Sequence, residues 1–361
     1  MDVFALDKTG SKGRIINGYD ELVWTERYFQ HGEFKMTTND IGMMKQLPLG
    51  TYISHFETLE LMEVLDYEIV KKKGKAPTLA ITGSSFDTIL EGRVAAPDVT
   101  GQRHRLTETT DQVNSYTLAA GNSWNQAATL IDRHISGPTT SFYPGDAVPY
   151  LNCVVEVPGA EAEQLSRVIE RGQLYERVQE LLAISTCGMK SRRPFGNRET
   201  IDIVIFQGKD VSDKVNFSTQ LDDLDEASYF ISKRKLKNAA FICGKYNGYS
   251  FFTDAIPATG LDRRWLYVDA ADIEDDTDPA AYAQQFKARA QQAFAEYKLV
   301  ELTQAQVAAN VAHRFGKDYS IGDIVGITAD FGVKAKRRVA EFVWTFDKSG
   351  VIGYPTLAPI E

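Results

Sequence analysis

Residues 317–332 read KDYSIGDIVGITADFG, and two structures compete for them. Asp318 and Asp323 flank Gly322, and Gly326 follows, as in a loop that holds a phosphate or a metal ion. The competitor is a turn that starts a strand. Val325, Ile327, Ala329 and Phe331 alternate with Thr328 and Asp330, which is the two-residue period of a half-buried strand. Gly316, Lys317 and Asp318 then form the entering turn, and Gly322-Asp323 a bend or bulge where the strand begins. The expected partner is RVAEFVWTF (338–346), with Ala340, Phe342, Trp344 and Phe346 on one face. DKSG (347–350) puts Asp347 and Gly350 where a type I turn prefers them. The aspartates become turn residues rather than ligands.

Working outward, the first ninety residues read mainly as strands. Leu22 and Trp24 alternate with polar neighbours, as do Phe34 and Met36 after a turn at Gln30-His31-Gly32. LELMEVLDYEIV (59–70) runs to the charged tip KKKGK (71–75) and returns as PTLAITG (77–83). SSFDTILEGR (84–93) predicts a short helix, with Ser84 and Asp87 as a capping box and Phe86, Ile89 and Leu90 on its apolar side. In the middle, Trp124, Ala128, Ile131 and Ile135 share a helical stripe that Gly137-Pro138 stops. YLNCVVEV (150–157) and TIDIVIFQG (200–208) read as strands around a helix over 163–184, kinked near Gly172. AAFICGKYNGYSFF (239–252) holds Asn247-Gly248 between apolar flanks, a strong hairpin signal. A helix follows over about 279–297, capped by Asp278 and Pro279, with Tyr282, Phe286, Ala290, Ala293 and Tyr297 inward and Asp275, Asp276 and Asp278 at its positive end. VAANVAHRF (307–315) alternates as a strand. The expected fold class is α+β and β-rich, with a β-barrel domain over 1–95, an α+β domain over 96–206 and a second β-barrel domain over 207–361 carrying the inserted helix.

Composition narrows the function. The chain has 361 residues, 43% hydrophobic and 25% charged, and a net charge of −9. That balance speaks against a nucleic-acid clamp, which needs surplus Lys and Arg. No apolar run reaches the ~20 residues of a membrane span, and no secretory leader is seen at the N-terminus, so folding in a cytosol is expected. Three scattered cysteines, Cys153, Cys187 and Cys243, form neither a disulfide framework nor a zinc pattern. FQGKDVS (206–212) lacks the first glycine and the hydroxyl of a phosphate-binding loop. ITGSSFD (81–87) fails as a nucleophile elbow, because Phe86 stands where the second glycine belongs. DAADIEDDTDPAAY (269–282) lacks the central glycine and final glutamate of a calcium loop. His313 reads as a hydrogen-bonded, half-buried side chain. No catalytic, metal or cofactor residue is therefore expected, although 49 acids leave a carboxylate pair open.

Several segments in order resemble one family. They are YDELVWTERYFQHGEFKM (19–36), LAITGSSFDTILEGRV (79–94), VNFSTQLDDLDEASYFISKRKLKNAAFICG (215–244), GLDRRWLYVDAADI (260–273), HRFGKDYSIGDIVGI (313–327) and RRVAEFVWTFDKSGVIGYPTL (337–357). Together they resemble the siphophage tail-tip and baseplate-hub proteins of the ReqiPepy type, which are similar to hubs of contractile phages and type VI secretion spikes. The matching residues are Trp24, Arg27, Gly92, Arg93, Asn238, Gly244, Asp262, Arg263, Arg264, Asp269, Asp318, Tyr319, Gly322 and Asp323. The resemblance implies a non-enzymatic homotrimer whose two barrel domains per chain continue the tail tube. It would meet distal tail and tail-tube proteins, the tape measure and tip proteins, in a virion assembled in host cytoplasm. Arg27, Arg93, Arg263 and Arg264 are the structural or interface candidates it suggests, with buried or interface ion pairing for Arg263 and Arg264. Three copies would carry a formal −27, from −9 each, and acid along a channel would let DNA pass without specific binding. The alternatives are a tail-tip hydrolase and a carbohydrate-binding module.

Overall fold

The computed structural model describes residues 3–10, 13–95, 115–136, 147–161, 164–196, 199–245, 250–273, 279–297, 300–308, 313–330 and 332–360. Strands dominate it. In chain order they begin with β1 Val3–Leu6, β2 Gly13–Ile16, β3 Glu21–Arg27, β4 Glu33–Thr38, β5 Tyr52–His55, β6 Met62–Val70, β7 Thr78–Ser85 and β8 Val94–Ala95. The central part adds β9 Ser115–Gly121, β10 Leu151–Glu156, β11 Leu165–Glu170, β12 Gly172–Gln173, β13 Gly188–Arg192, β14 Ile201–Phe206 and β15 Asn216–Ser218. The rest are β16 Leu224–Ser232, β17 Ala239–Cys243, β18 Ser250–Asp254, β19 Trp265–Asp269, β20 Val300–Val307, β21 Ile324–Thr328, β22 Lys334–Asp347 and β23 Gly350–Ala358. Helices are few: α1 Met43–Gln46, α2 Ser123–Ile131, α3 Leu174–Ile184 and α4 Pro279–Glu296.

The chain divides into two compact units, Met1–Glu226 with Ala305–Glu361, and Ala227–Gln304. The first is built on a 13-stranded sheet whose path runs β16-β20-β23-β22-β3-β4-β7-β6-β5-β1-β2, with β21 on β22 and β15 on β21. That path is open at both ends, so no closed barrel is formed among the described residues. Its core gathers Leu22, Trp24, Phe34, Met36, Ile53, Met62, Ile81 and Phe346. The period-2 pattern explains why: Leu22 and Trp24 in β3, and Phe34 and Met36 in β4, are buried apolar residues two positions apart. Beside the sheet, β10 runs parallel to β14 and β13 antiparallel to it. α2 and α3 close a second core there, with Trp124, Ala127, Ile131, Val178, Leu182 and Ile203.

The opening stretch is a strand, with Val325, Ile327 and Ala329 buried; Phe331 lies outside the described residues. Its partner is β22, but at Lys334–Arg338 rather than beyond it. The later half of β22 pairs instead with β3, placing Trp344 opposite Trp24 and Phe346 opposite Leu22. A register shift between Val339 and Glu341 puts Val339, not Ala340, in step with buried Phe342, because one extra residue restarts the alternation.

Three other expectations are corrected. Residues 165–170 are a strand paired with β9, not the start of a helix. Only Ile169 of LSRVIE is buried there, so the apolar residues that mimicked a helical stripe had no core to bind. Ser84 lies within β7 and the segment after it is a 3₁₀ turn, Phe86–Leu90, with no side-chain cap. β20 ends at Val307, and 309–312 lie outside the described residues, as do Gly137-Pro138, Asn247-Gly248 and Asp275, Asp276 and Asp278. In the second unit β18-β17-β19 form a small sheet, one face of which packs Ala240, Ile242, Leu266 and Val268 on Phe286 and Ala290 of α4.

Candidate functional site

The glycine that first suggested a ligand loop receives an aromatic ring instead. Gly322 has φ +86°, and a Cβ there would lie 2.2 Å from the Tyr28 ring. Gly188 approaches the same ring, at 2.5 Å for a Cβ, and Gly208 packs against the Gly322 carbonyl. The Tyr28 hydroxyl donates to Thr186 O at 2.8 Å and accepts from Gly208 N at 3.2 Å. Arg338, buried, donates to Gly322 O at 2.7 Å and lies 5.1 Å over Tyr28. Asp323 is occupied by backbone: Oδ1 accepts from Lys209 N at 2.7 Å and Oδ2 from Ser320 N at 2.8 Å. Asp318 accepts from Arg314 N at 2.8 Å. Both carboxylates therefore fasten turns, as their side-chain geometry permits.

The four arginines are not brought together. Arg27 spans β22, β3 and the β4 end, with Nε 2.8 Å from Glu341 and Nη2 2.6 Å from Glu33. Its third contact is to His31 O at 3.1 Å. Arg93 follows the 3₁₀ turn; its carbonyl accepts from Leu174 N, while its Nε has no partner among the described residues. Arg263 pairs with Asp254 at 2.7 Å and lies 4.4 Å over Trp265. Arg264 is exposed and donates to Lys233 O at 3.2 Å. Buried Asn238 organises this corner: Nδ2 donates to Asp262 O at 2.8 Å and Oδ1 accepts from Arg264 N at 2.7 Å. Arg27 and Arg263 are thus paired within the chain, while Arg93 and Arg264 direct their charge elsewhere.

Sequence reasoning missed a buried polar seam behind β3. Glu26, Glu60 and Asp87 are all buried. Burial pushes each carboxyl up, Asp87 to about 7, and the neighbouring Glu26 adds to the effect at Glu60. Trp344 Nε1 donates to Glu26 at 3.4 Å, and Ser85 Oγ lies 2.5 Å from Glu60 while accepting from Gly32 N. Lys190, over the Phe206 ring at 4.7 Å, is the nearby cation for both glutamates. His55 is held among Trp24, Trp344 and Phe346 and pushed down to about 3 by burial. The three carboxyls are only 4%, 5% and 1% exposed at Glu26, Glu60 and Asp87. Among the described residues no group of three or more His, Cys, Asp or Glu is placed to hold a metal ion, and no helix is long and apolar enough to cross a membrane.

The second unit shows its aromatics to solvent. On the sheet face opposite α4, Phe252, Phe241 and Tyr267 form one cross-strand row, with Trp265 one register step along β19. They are 71%, 43%, 66% and 45% exposed. Alternation in WLYVD and AAFIC predicts such a two-faced sheet, but only the α4 packing tells which face stays open.

A profile of the family described as Siphovirus ReqiPepy6 Gp37-like protein matches residues 2–354. No curated protein matches the chain. Among solved structures, the chain is similar to the prophage MuSo2 43 kDa tail protein from Shewanella oneidensis. That likeness has a TM-score of 0.61 at 13% identity and covers 99% of this chain and 98% of the other. The tail protein of Neisseria meningitidis MC58 gives 0.55 at 13% identity, covering 99% and 96%. The prophage tail protein gp18 of Listeria monocytogenes EGD-e gives 0.50 at 13% identity, covering 98% and 94%. At such identity these likenesses concern the fold.

Proposed function

The chain belongs to the Siphovirus ReqiPepy6 Gp37-like protein family, and from that premise we propose that it is the baseplate or tail-tip hub of a siphophage, assembled as a homotrimeric ring on the tail axis. The observation that carries this is the family match over 2–354; fold likeness to three phage tail proteins along nearly their whole lengths accompanies it. Barrel-like domains, two per chain, would arise in the ring, where neighbouring copies complete the open ends of the 13-stranded sheet. The three-part division at residues 95 and 206 is proposed for that assembled state. The ring joins distal tail and tail-tube proteins on one side to tip proteins on the other, contacts the tape measure, and lets DNA pass without specific binding. It works through surfaces rather than catalysis. Arg27 and Arg263 act in it as internal struts, and Arg93 and Arg264 as interface charges.

A cryo-electron microscopy map of virions carrying a tag on this chain tests the proposal. Three tags around the tail axis at its distal end are expected. Density off the axis, or a copy number that is not a multiple of three, overturns it.

A further inference from the structure

The exposed aromatic row borders a run of unused positive charge. Lys233, Arg234 and Lys235 are exposed, and none is in an ion pair with a described residue. Arg264 ties this run to the strand bearing Trp265, through its 3.2 Å bond to Lys233 O. An aromatic centre with a charged rim has the anatomy of a protein-binding patch. Residues 227–304 hold ten basic and ten acidic residues, so the whole net charge of −9 comes from the remaining chain, with thirty and thirty-nine. Within that remainder one stretch is the chemical complement. Leu221 is 67% exposed and is flanked by exposed Asp222, Asp225 and Glu226, none of them in an ion pair with a described residue.

We infer that the aromatic and cationic face carrying Lys233, Arg234, Lys235, Phe241, Phe252 and Tyr267 is a docking seat for the leucine-tipped acidic stretch 221–226 of a second copy of this chain. Leu221 enters the Phe241, Phe252 and Tyr267 row, while the acids meet Lys233, Arg234 and Lys235. Donor and seat are different surfaces, so the contact is head-to-tail, and repeating it closes a ring when the rotation allows. The inference rests on the ring proposed above and names its adhesive surface.

Charge-swap mixing tests it on the full chain by sedimentation and light scattering at 100 µM. One variant carries K233E, R234E and K235E; the other carries D222K, D225K and E226K. Each alone should remain monomeric, and their mixture should associate again. Phe252→Glu should leave a monomer whose circular dichroism matches wild type, and association of wild type should weaken as salt rises. Oligomers that persist in both charge variants overturn the inference, as does a mixture that stays monomeric or a wild type monomeric at this concentration. Glycan binding abolished by Phe252→Glu with association untouched also overturns it. The tagged-virion map is independent of these outcomes, so the ring can stand while this seat fails.

Discussion

A methyl group at position 322 would enter the Tyr28 ring on a backbone already at φ +86°. Left-handed strain and overpacking each cost about 1–3 kcal/mol, so Gly322→Ala should lower stability by about 2–6 kcal/mol in a denaturant melt. An unchanged midpoint would show that the loop yields freely. The buried seam gives a pH signature of known sign. Asp87, pushed up to about 7, keeps in the folded state a proton that the unfolded chain releases near 3.8, so its contribution is lost as pH rises through that window. His55, pushed down to about 3, stays neutral where the unfolded ring charges, so its contribution is lost as pH falls below about 6.5. The two oppose each other. Asp87→Asn removes the first, and the variant should gain more stability than wild type between pH 4 and 6.5, by on the order of a few kcal/mol. Equal slopes in equilibrium unfolding would show that Asp87 is not the group holding the proton.

At the scale of elements, the β3–β22 pair combines two sorts of contact with unequal weight. Phe346 is buried in the sheet core, and Phe346→Ala should cost about 3–5 kcal/mol. Arg27 bridges two partly exposed glutamates, and Arg27→Met should cost less than about 1 kcal/mol. Thermal melts of the two variants decide whether packing or ion pairing holds the pair. Sequence period made β4 and β7 legible, because each buries alternate residues against one core. It failed at 165–170, where a strand with one buried residue carries apolar side chains on the surface, and at Ser84, where a strand continued through a capping motif. It placed the partner of β21 at 338–346 where the pairing falls at 334–338, and could not see that the later half of β22 pairs with β3, since register across 300 residues leaves no local trace. Of the four arginines, sequence supplied the residue type alone. Whether each points inward or outward follows from neighbours such as Asp254 and Glu341, which only the fold brings near.

For the whole molecule, two compact units predict separable loss of structure. Phe286 of α4 is buried against Phe251, 5.1 Å away, and Ala240. Phe286→Ala should strip hydrogen-exchange protection from β17, β18 and β19 while β3 and β22 keep theirs. Simultaneous loss in both sets would mean one cooperative unit. The join of Trp24 to Trp344 also sets a schedule for synthesis. Arg27 and Glu341, 314 positions apart in sequence, must meet before β3 has its second neighbour, so a growing chain on the ribosome carries a bare, half-paired strand until residues 334–347 emerge. Such long loop closure slows folding and leaves an adhesive edge waiting. Protection of that edge during translation, by a chaperone, then becomes a requirement for the yield of folded chain.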